Sequence, residues 1–470
     1  LAYGVKSTPA AHFININIAS AVSVYKAGLW LYMSSIASQL GGYLFWFVAA
    51  ASVRASVIGE VAYLATLASI AAALLTLGVP TAVMRLWPAT GDRKYAEGAL
   101  AFAVVAAAGS LLFVLWRPAL ALLVASGLLS AYYTAYFQTT YNTRPVFYAT
   151  VAGQTARVAA APLLAPLGPD ALAATYSIPG LLLTGLGAAA FRLRPRVFGM
   201  RELARAGVAA WLPGAVAVLG TNLGVVAAYN LAHAETAGYV YIAQILAGAA
   251  VGVSTIVTGV LLPYLSSSGE PDAAAVKAYR LALVMSAPLA AALVTGGAHF
   301  LSILGRQYAE AADALAVFTV ANLLGLAAGS LGNLMYAKGH YVPYLTVGVA
   351  ANVTRIVLYI LLGSSDVGVA VSFLVGSLVA VMLYVMFQRP AAREMAAVTP
   401  KALLASLPAL VLAPLGILPA AAGAVAGYAL AVRLRLVTRG ELADSARQIL
   451  PTGLYVRVAP VASKVLDVLD

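Results

Sequence analysis

The sequence predicts an all-α, polytopic transmembrane protein of about fourteen spans, with two six-helix lobes followed by two C-terminal helices. Of its 470 residues 62% are hydrophobic and only 9% are charged, whereas a soluble domain carries about 25% charged residues. Apolar runs of roughly 20 residues recur along the chain, the length at which a helix crosses hydrocarbon while satisfying its own backbone hydrogen bonds. Lys and Arg collect in the breaks between these runs and favour alternate breaks. Glycine is abundant, with 41 residues, as expected where helices meet through small residues because lipid supplies no hydrophobic drive for association.

Residues 1–24 read as a cytoplasmic or interfacial arm. Ala19-Ser20-Ala21 follows a stretch interrupted by Asn15 and Asn17, too brief for the apolar core of a signal peptide. Residues 25–200 form the first predicted lobe, with spans at 27–50, 57–79, 98–116, 118–137, 146–167 and 171–191. Residues 201–390 form the second, with spans at 207–230, 237–262, 278–304, 312–337, 341–362 and 367–387. Two weaker runs at 402–418 and 419–432, separated by a proline-rich tight turn, make residues 391–437 an added helix pair, and 438–470 form a tail.

A cytoplasmic N-terminus places 23 Lys and Arg residues on the inner side and only Arg54, Arg117 and Arg306 outside. That asymmetry orients the chain, predicting a multi-pass cell-membrane protein with both termini cytoplasmic. The chain also matches itself. Lys26-Ala27-Gly28 corresponds to Arg205-Ala206-Gly207 and Gly59 to Gly238 at one offset; Tyr148, Thr150 and Asp170 correspond to Tyr344, Thr346 and Asp366 at another. Two lobes of the same orientation follow, related by an axis along the membrane normal, and such repeats place a substrate site between them.

Arg157 and Arg355 fall at nearly equivalent places inside spans. A central Arg costs about 2.5–3.5 kcal/mol on insertion scales and cannot discharge, its pKa exceeding about 12. Water, an anion or backbone carbonyls must therefore surround it. Arg54 and Arg85 either line opposite mouths of one cavity or are ordinary interfacial residues. Gln39, Gln154, Asn222, Gln244 and Asn352 either bond sugar hydroxyls or join helices. Glu60, near the outer end of the second span, is the one candidate for ion coupling. Cations without mid-depth carboxylates favour an anionic substrate, and a diphosphate suits the planar fork of Arg.

Other chemistries find little support. Cysteine is absent, which excludes disulfides, thiolate metal sites and a catalytic thiol. There is no HExxH and no phosphate-binding Gly-x-x-x-x-Gly-Lys loop, and the four histidines are scattered. The net charge of +12 forms no stripe that would fit nucleic acid. No enzyme, metal or cofactor is predicted.

Several segments carry a family resemblance. Residues 26–50, Gly59-Glu60-Val61-Ala62-Tyr63 and Gly78-Val79-Pro80-Thr81-Ala82-Val83-Met84-Arg85 resemble the opening of the polysaccharide flippases, the O-antigen and oligosaccharide-lipid exporters of the multidrug/oligosaccharidyl-lipid/polysaccharide exporter superfamily. Gly238-Tyr239-Val240-Tyr241-Ile242-Ala243, Leu262-Pro263-Tyr264-Leu265-Ser266, Gly305-Arg306-Gln307-Tyr308 with Ala311, and Thr438-Arg439-Gly440-Glu441-Leu442 are similar to later segments of that family. Where many members carry an Asp-Arg pair late in the seventh span, this chain has Ala228, Tyr229 and Asn230, so no role of that pair carries over. The resemblance implies alternating-access export of a polyprenyl-phosphate- or diphosphate-linked oligosaccharide for cell-surface glycan synthesis. The headgroup would meet Arg85, Arg157 or Arg355, and the last two helices would form a groove for the lipid tail. Membrane lipids and a glycan polymerase or glycosyltransferases are the implied partners. The alternatives are an ion-coupled small-molecule antiporter of the same superfamily and a membrane-embedded glycosyltransferase or ligase; short outer loops with few carboxylates disfavour the enzyme.

Overall fold

A computed structural model describes residues 18–259, 265 and 270–437. Among them there is no strand, and the helices are α1 (Ile18–Ser52), α2 (Ala55–Leu75), α3 (Val79–Thr90), α4 (Lys94–Ser110), α5 (Pro118–Thr139), α6 (Arg144–Leu164), α7 (Pro169–Ala174), α8 (Ser177–Phe191) and α9 (Met200–Leu231). They continue with α10 (Ala234–Gly259), α11 (Pro271–Ser302), α12 (Ala312–Ala337), α13 (Tyr341–Leu362), α14 (Asp366–Phe387), α15 (Arg389–Ala405), α16 (Leu407–Leu412) and α17 (Ile417–Arg433). Nine segments among the described residues are long and apolar enough to cross a membrane singly, and the bent pair of α15 and α16 makes a tenth. With α1, α6, α10 and α17 the segments number fourteen. The all-α, about-fourteen-span class is therefore the observed one.

Two elements depart from the expected spans. α3 is a helix where the sequence placed the end of one span and a loop: Val79, Ala82 and Val83 are buried while Thr81 and Arg85 are exposed, so its apolar face never forms a continuous run. α15 starts at Arg389 rather than 402 for the same reason, with Ala391, Ala392 and Met395 inward and Arg393 and Glu394 exposed. It bends by 41° into the next segment. The turn into α17 falls at Gly416, whose φ of 128° suits glycine alone, and not at Pro419, three residues on. Residues 262–264, 266 and 438–442, used in the family resemblance, lie outside the described residues.

Packing divides the chain differently from the repeat. One compact unit takes the chain up to Phe45 with Ala71–Leu164 and Ala174–Trp211; the other takes Trp46–Ile70, Ala165–Ala173 and the chain from Leu212 onward. In the first, α3, α4 and α5 close on Val79, Val83, Ala99, Tyr132 and Tyr136. A buried phenol is costly unless it is hydrogen-bonded. Tyr136 accordingly donates to the Ala96 carbonyl at 3.0 Å and Tyr132 to that of Thr76 at 3.3 Å. In the second unit Tyr279, Leu283, Leu331, Leu334 and Met395 form the core, and α17 packs through Ala420 and Ala424 against Ala291, Ala409 and Ala413. The end of α1 and most of α2, Trp46–Ile70, belong here. A Cβ on Gly59 would lie 1.5 Å from the Ala234 carbonyl oxygen, and one on Gly238 would lie 2.5 Å from that of Ala55. The two glycines matched in the sequence repeat thus pack against each other, and Tyr63 stacks on Tyr229 with ring centroids 4.1 Å apart.

Candidate functional site

α1 and α6 run in register, and their polar residues meet rung by rung. Thr143 donates to the Ala27 carbonyl at 2.7 Å, the Ser34 and Thr150 hydroxyls lie 2.8 Å apart, Gln154 donates to Ser38 Oγ at 3.4 Å, and Arg157 Nη2 donates to the Gly41 carbonyl at 3.3 Å. Each rung joins residues 116 apart in sequence, so the two helices advance in step. Gly41 permits the close approach at the last rungs: a Cβ there would lie 2.5 Å from Gln154 Cβ. Serine and threonine on facing stripes of 27–41 and 143–157 are the available sequence signal; of the ladder's side chains, the sequence points to Gln154 and Arg157 as site residues and to Thr150 only as a repeat match.

The Arg157 guanidinium is buried, 5% exposed. Its Cζ lies 4.7 Å from the Phe45 ring centroid and 4.2 Å from that of Tyr176, and those two rings meet edge to face at 5.0 Å. A desolvated cation–π contact contributes about 2 kcal/mol or more and a charge-assisted hydrogen bond about 1.5–3 kcal/mol. Together they offset the insertion cost of about 2.5–3.5 kcal/mol. Arg157 makes no ion pair among the described residues, and its Nε and Gln154 Oε1 are buried without hydrogen-bond partners. Among the described residues the Arg157 cation therefore has no resident counterion.

The second half repeats the construction. Asn352 and Arg355 on α13 have the same amide-x-x-Arg spacing as Gln154 and Arg157, which puts each pair on one helix face. Arg355 Nη1 donates to Asn352 Oδ1 at 3.2 Å and Nη2 to Ser377 Oγ at 2.9 Å. Its Cζ lies 4.1 Å from the Phe373 ring centroid, so this arginine too lies over an aromatic ring of another helix. Gly220, the counterpart of Gly41, again admits the amide: a Cβ there would lie 2.2 Å from Asn352 Oδ1. One exchange separates the copies. The Gly220 carbonyl accepts from Tyr359 at 3.2 Å, whereas the Gly41 carbonyl accepts from the arginine itself. Arg355 Nε is buried without a hydrogen-bond partner.

The other sequence candidates are dispersed. Asn222 donates to Thr221 Oγ1 at 3.0 Å and Gln244 donates to the Thr221 carbonyl at 3.4 Å, so these two share a neighbour between α9 and α10. Gln39 is exposed and donates to Ser35 Oγ at 3.4 Å. Arg54 and Arg85 are exposed, and Glu60 is half-buried on α2. An apolar cavity of about 310 Å³ lies where α17 meets α10 and α11, lined by Leu246, Ala250, Leu293, Phe300, Ile417 and Ala424 among others.

No family model and no curated protein matches the chain. Solved structures do. The lipid II flippase MurJ in an inward closed conformation aligns with a TM-score of 0.70 at 13% identity, covering 85% of this chain and 97% of that one. An inward-facing multidrug resistance MATE transporter of the MOP superfamily aligns at 0.58 with 13% identity, covering 76% and 96% respectively. A MATE protein in complex with MaL6 aligns at 0.54 with 12% identity, covering 80% and 97%. The chain therefore has the fold seen in these MurJ and MATE structures.

Proposed function

We propose that the protein is a flippase that moves a polyprenyl-phosphate- or diphosphate-linked oligosaccharide across the cell membrane by alternating access, supplying cell-surface glycan synthesis. The observation that carries this is the pair of equivalent arginines, Arg157 packed on two aromatic rings and Arg355 on one, each bonded to neutral groups and neither ion-paired among the described residues. Because rings and neutral acceptors already offset the burial cost, an anion is free to bind and leave without the fold depending on it. The fork of Arg presents paired donors to phosphate oxygens, which a point charge does not. Two further features support the reading: the MurJ likeness, and the apolar cavity beside α17, which suits the lipid chain. Lipid-linked glycan, membrane lipids and glycan-assembling enzymes are the proposed partners, and both termini are placed in the cytoplasm.

The likeness to MATE structures and the half-buried Glu60 favour, as a second reading, an ion-coupled small-molecule antiporter. Complementation of a flippase-deficient strain at matched expression separates the two. Arg157→Ala should abolish export while leaving membrane insertion intact, Arg355→Ala should weaken it, and Arg157→Lys should retain part of it. Full export by the double Ala variant would make these arginines structural. Proton-driven dye efflux from vesicles that is lost in Glu60→Gln would hand the assignment to the antiporter.

A further inference from the structure

A second cavity, of about 630 Å³, lies within the second unit on one face of α12, where α10, α13 and α14 also contribute; its size falls among those of small-molecule sites. Its lining includes Asn322, Gly325, Gly329, Asn333, Tyr344 and Tyr384 and, among the described residues, holds no charged side chain. The Gly-x-x-x-Gly spacing of 325 and 329 is the one by which membrane helices pack closely. Among the described residues nothing packs on it: a Cβ on either glycine would meet no atom within 4 Å. The glycines bring no helix nearer, and they cost helix propensity. Their effect is to leave the α12 wall bare and the space open.

The polar groups around that space are unused. Tyr384 is only 6% exposed, and its ring reaches α12 because position 332 is glycine, where a Cβ would sit 3.1 Å from the Tyr384 hydroxyl. That hydroxyl makes no hydrogen bond among the described residues, and neither do the side-chain amides of Asn322 and Asn333. Tyr384 is buried and Asn322 and Asn333 are half-buried, so three polar groups without a protein partner face one cavity, where a ligand can supply the donors and acceptors. An Asn amide donates and accepts at adjacent atoms, as a pair of neighbouring sugar hydroxyls does. Tyr344, half exposed and 6.5 Å from Tyr384 between ring centroids, offers an aromatic face to the C–H face of a pyranose. With no charge in the lining, the contacting part of the ligand is neutral.

We infer that this α12 cavity binds a sugar of the transported molecule, separately from the arginines that meet its phosphate; the inference rests on the lipid-linked glycan reading. The test uses the full-length protein in lipid nanodiscs and Gly329→Cys, a substitution into open space in a chain with no native cysteine. Alkylation is timed with a short-chain prenyl diphosphate, with the same prenyl diphosphate carrying an N-acetylhexosamine disaccharide, and with tetraphenylphosphonium. Only the disaccharide compound should slow alkylation, by about tenfold or more at saturation. Gly329→Leu and Tyr384→Phe should each weaken its binding by about tenfold and leave the sugar-free diphosphate unaffected. Equal binding of both diphosphates with no protection of the cysteine would overturn the sugar site and keep the flippase. Protection by tetraphenylphosphonium alone would make the cavity a cation site, its tyrosines acting as cation–π partners. Binding of neither diphosphate would remove this inference and the flippase reading together.

Discussion

Arg157 and Arg355 were legible in the sequence because a guanidinium inside an apolar run is conspicuous by its cost. What surrounds them was not. Phe45, Gly41 and Tyr176 lie far from residue 157 in the chain, and no periodicity within α6 reveals which rings and carbonyls another helix will bring. The glycines at 41 and 220 are a case where magnitude decides the sign of a substitution. Replacing an interior helical glycine by alanine gains about 0.8–1 kcal/mol of helix propensity, but at Gly41 the new methyl would meet Gln154 Cβ at 2.5 Å, and overpacking costs about 1–3 kcal/mol. Gly41→Ala should therefore lower the thermal midpoint of the purified protein. Gly28→Ala, in open space, should hold or raise it; a higher midpoint for Gly41→Ala would disprove the close α1–α6 contact.

Apolar runs revealed most of the helices because length and hydropathy are sufficient where lipid surrounds a segment. They failed at α3 and α15, whose apolar residues occupy one face only and are diluted in sequence by Arg85, Arg393 and Glu394. The α1–α6 ladder escaped notice for a related reason: its serines and threonines read singly as tolerated polar residues, and only their pairing across two helices shows a register. That register is testable. With both hydroxyls 2.8 Å apart, the double variant Ser34→Cys/Thr150→Cys brings two sulfurs near the bonding distance of about 2.05 Å. Mild oxidation should remove both free thiols, as measured by thiol titration, while each single variant stays reactive. A double variant that remained fully reduced would mean that the helices are offset from the observed rungs.

At the scale of the molecule, the lopsided distribution of Lys and Arg predicts sidedness, and the absence of native cysteine makes it simple to test. Cysteine at Ser364, exposed between α13 and α14, should react with an impermeant thiol reagent added outside intact cells, and cysteine at Asn142, exposed between α5 and α6, should not. The opposite pattern would invert the topology. The internal repeat was visible from matched residues, and its deeper copy, amide-x-x-Arg with a glycine and an aromatic ring on other helices, emerged only once contacts were known. So did the meeting of Gly59 with Gly238, since sequence identity between two glycines says nothing of their distance. The exchange of partners between the two copies also bears on biogenesis. When α6 leaves the ribosome, Gly41 and Phe45 are already synthesised, so Arg157 enters a membrane that holds two of its partners. Arg355 has only Asn352 on its own helix until α14 delivers Phe373 and Ser377. The second half must therefore carry an unsheltered cation through part of its synthesis, and a nascent chain halted after α13 is the one in which insertion of an arginine-bearing helix should be least secure.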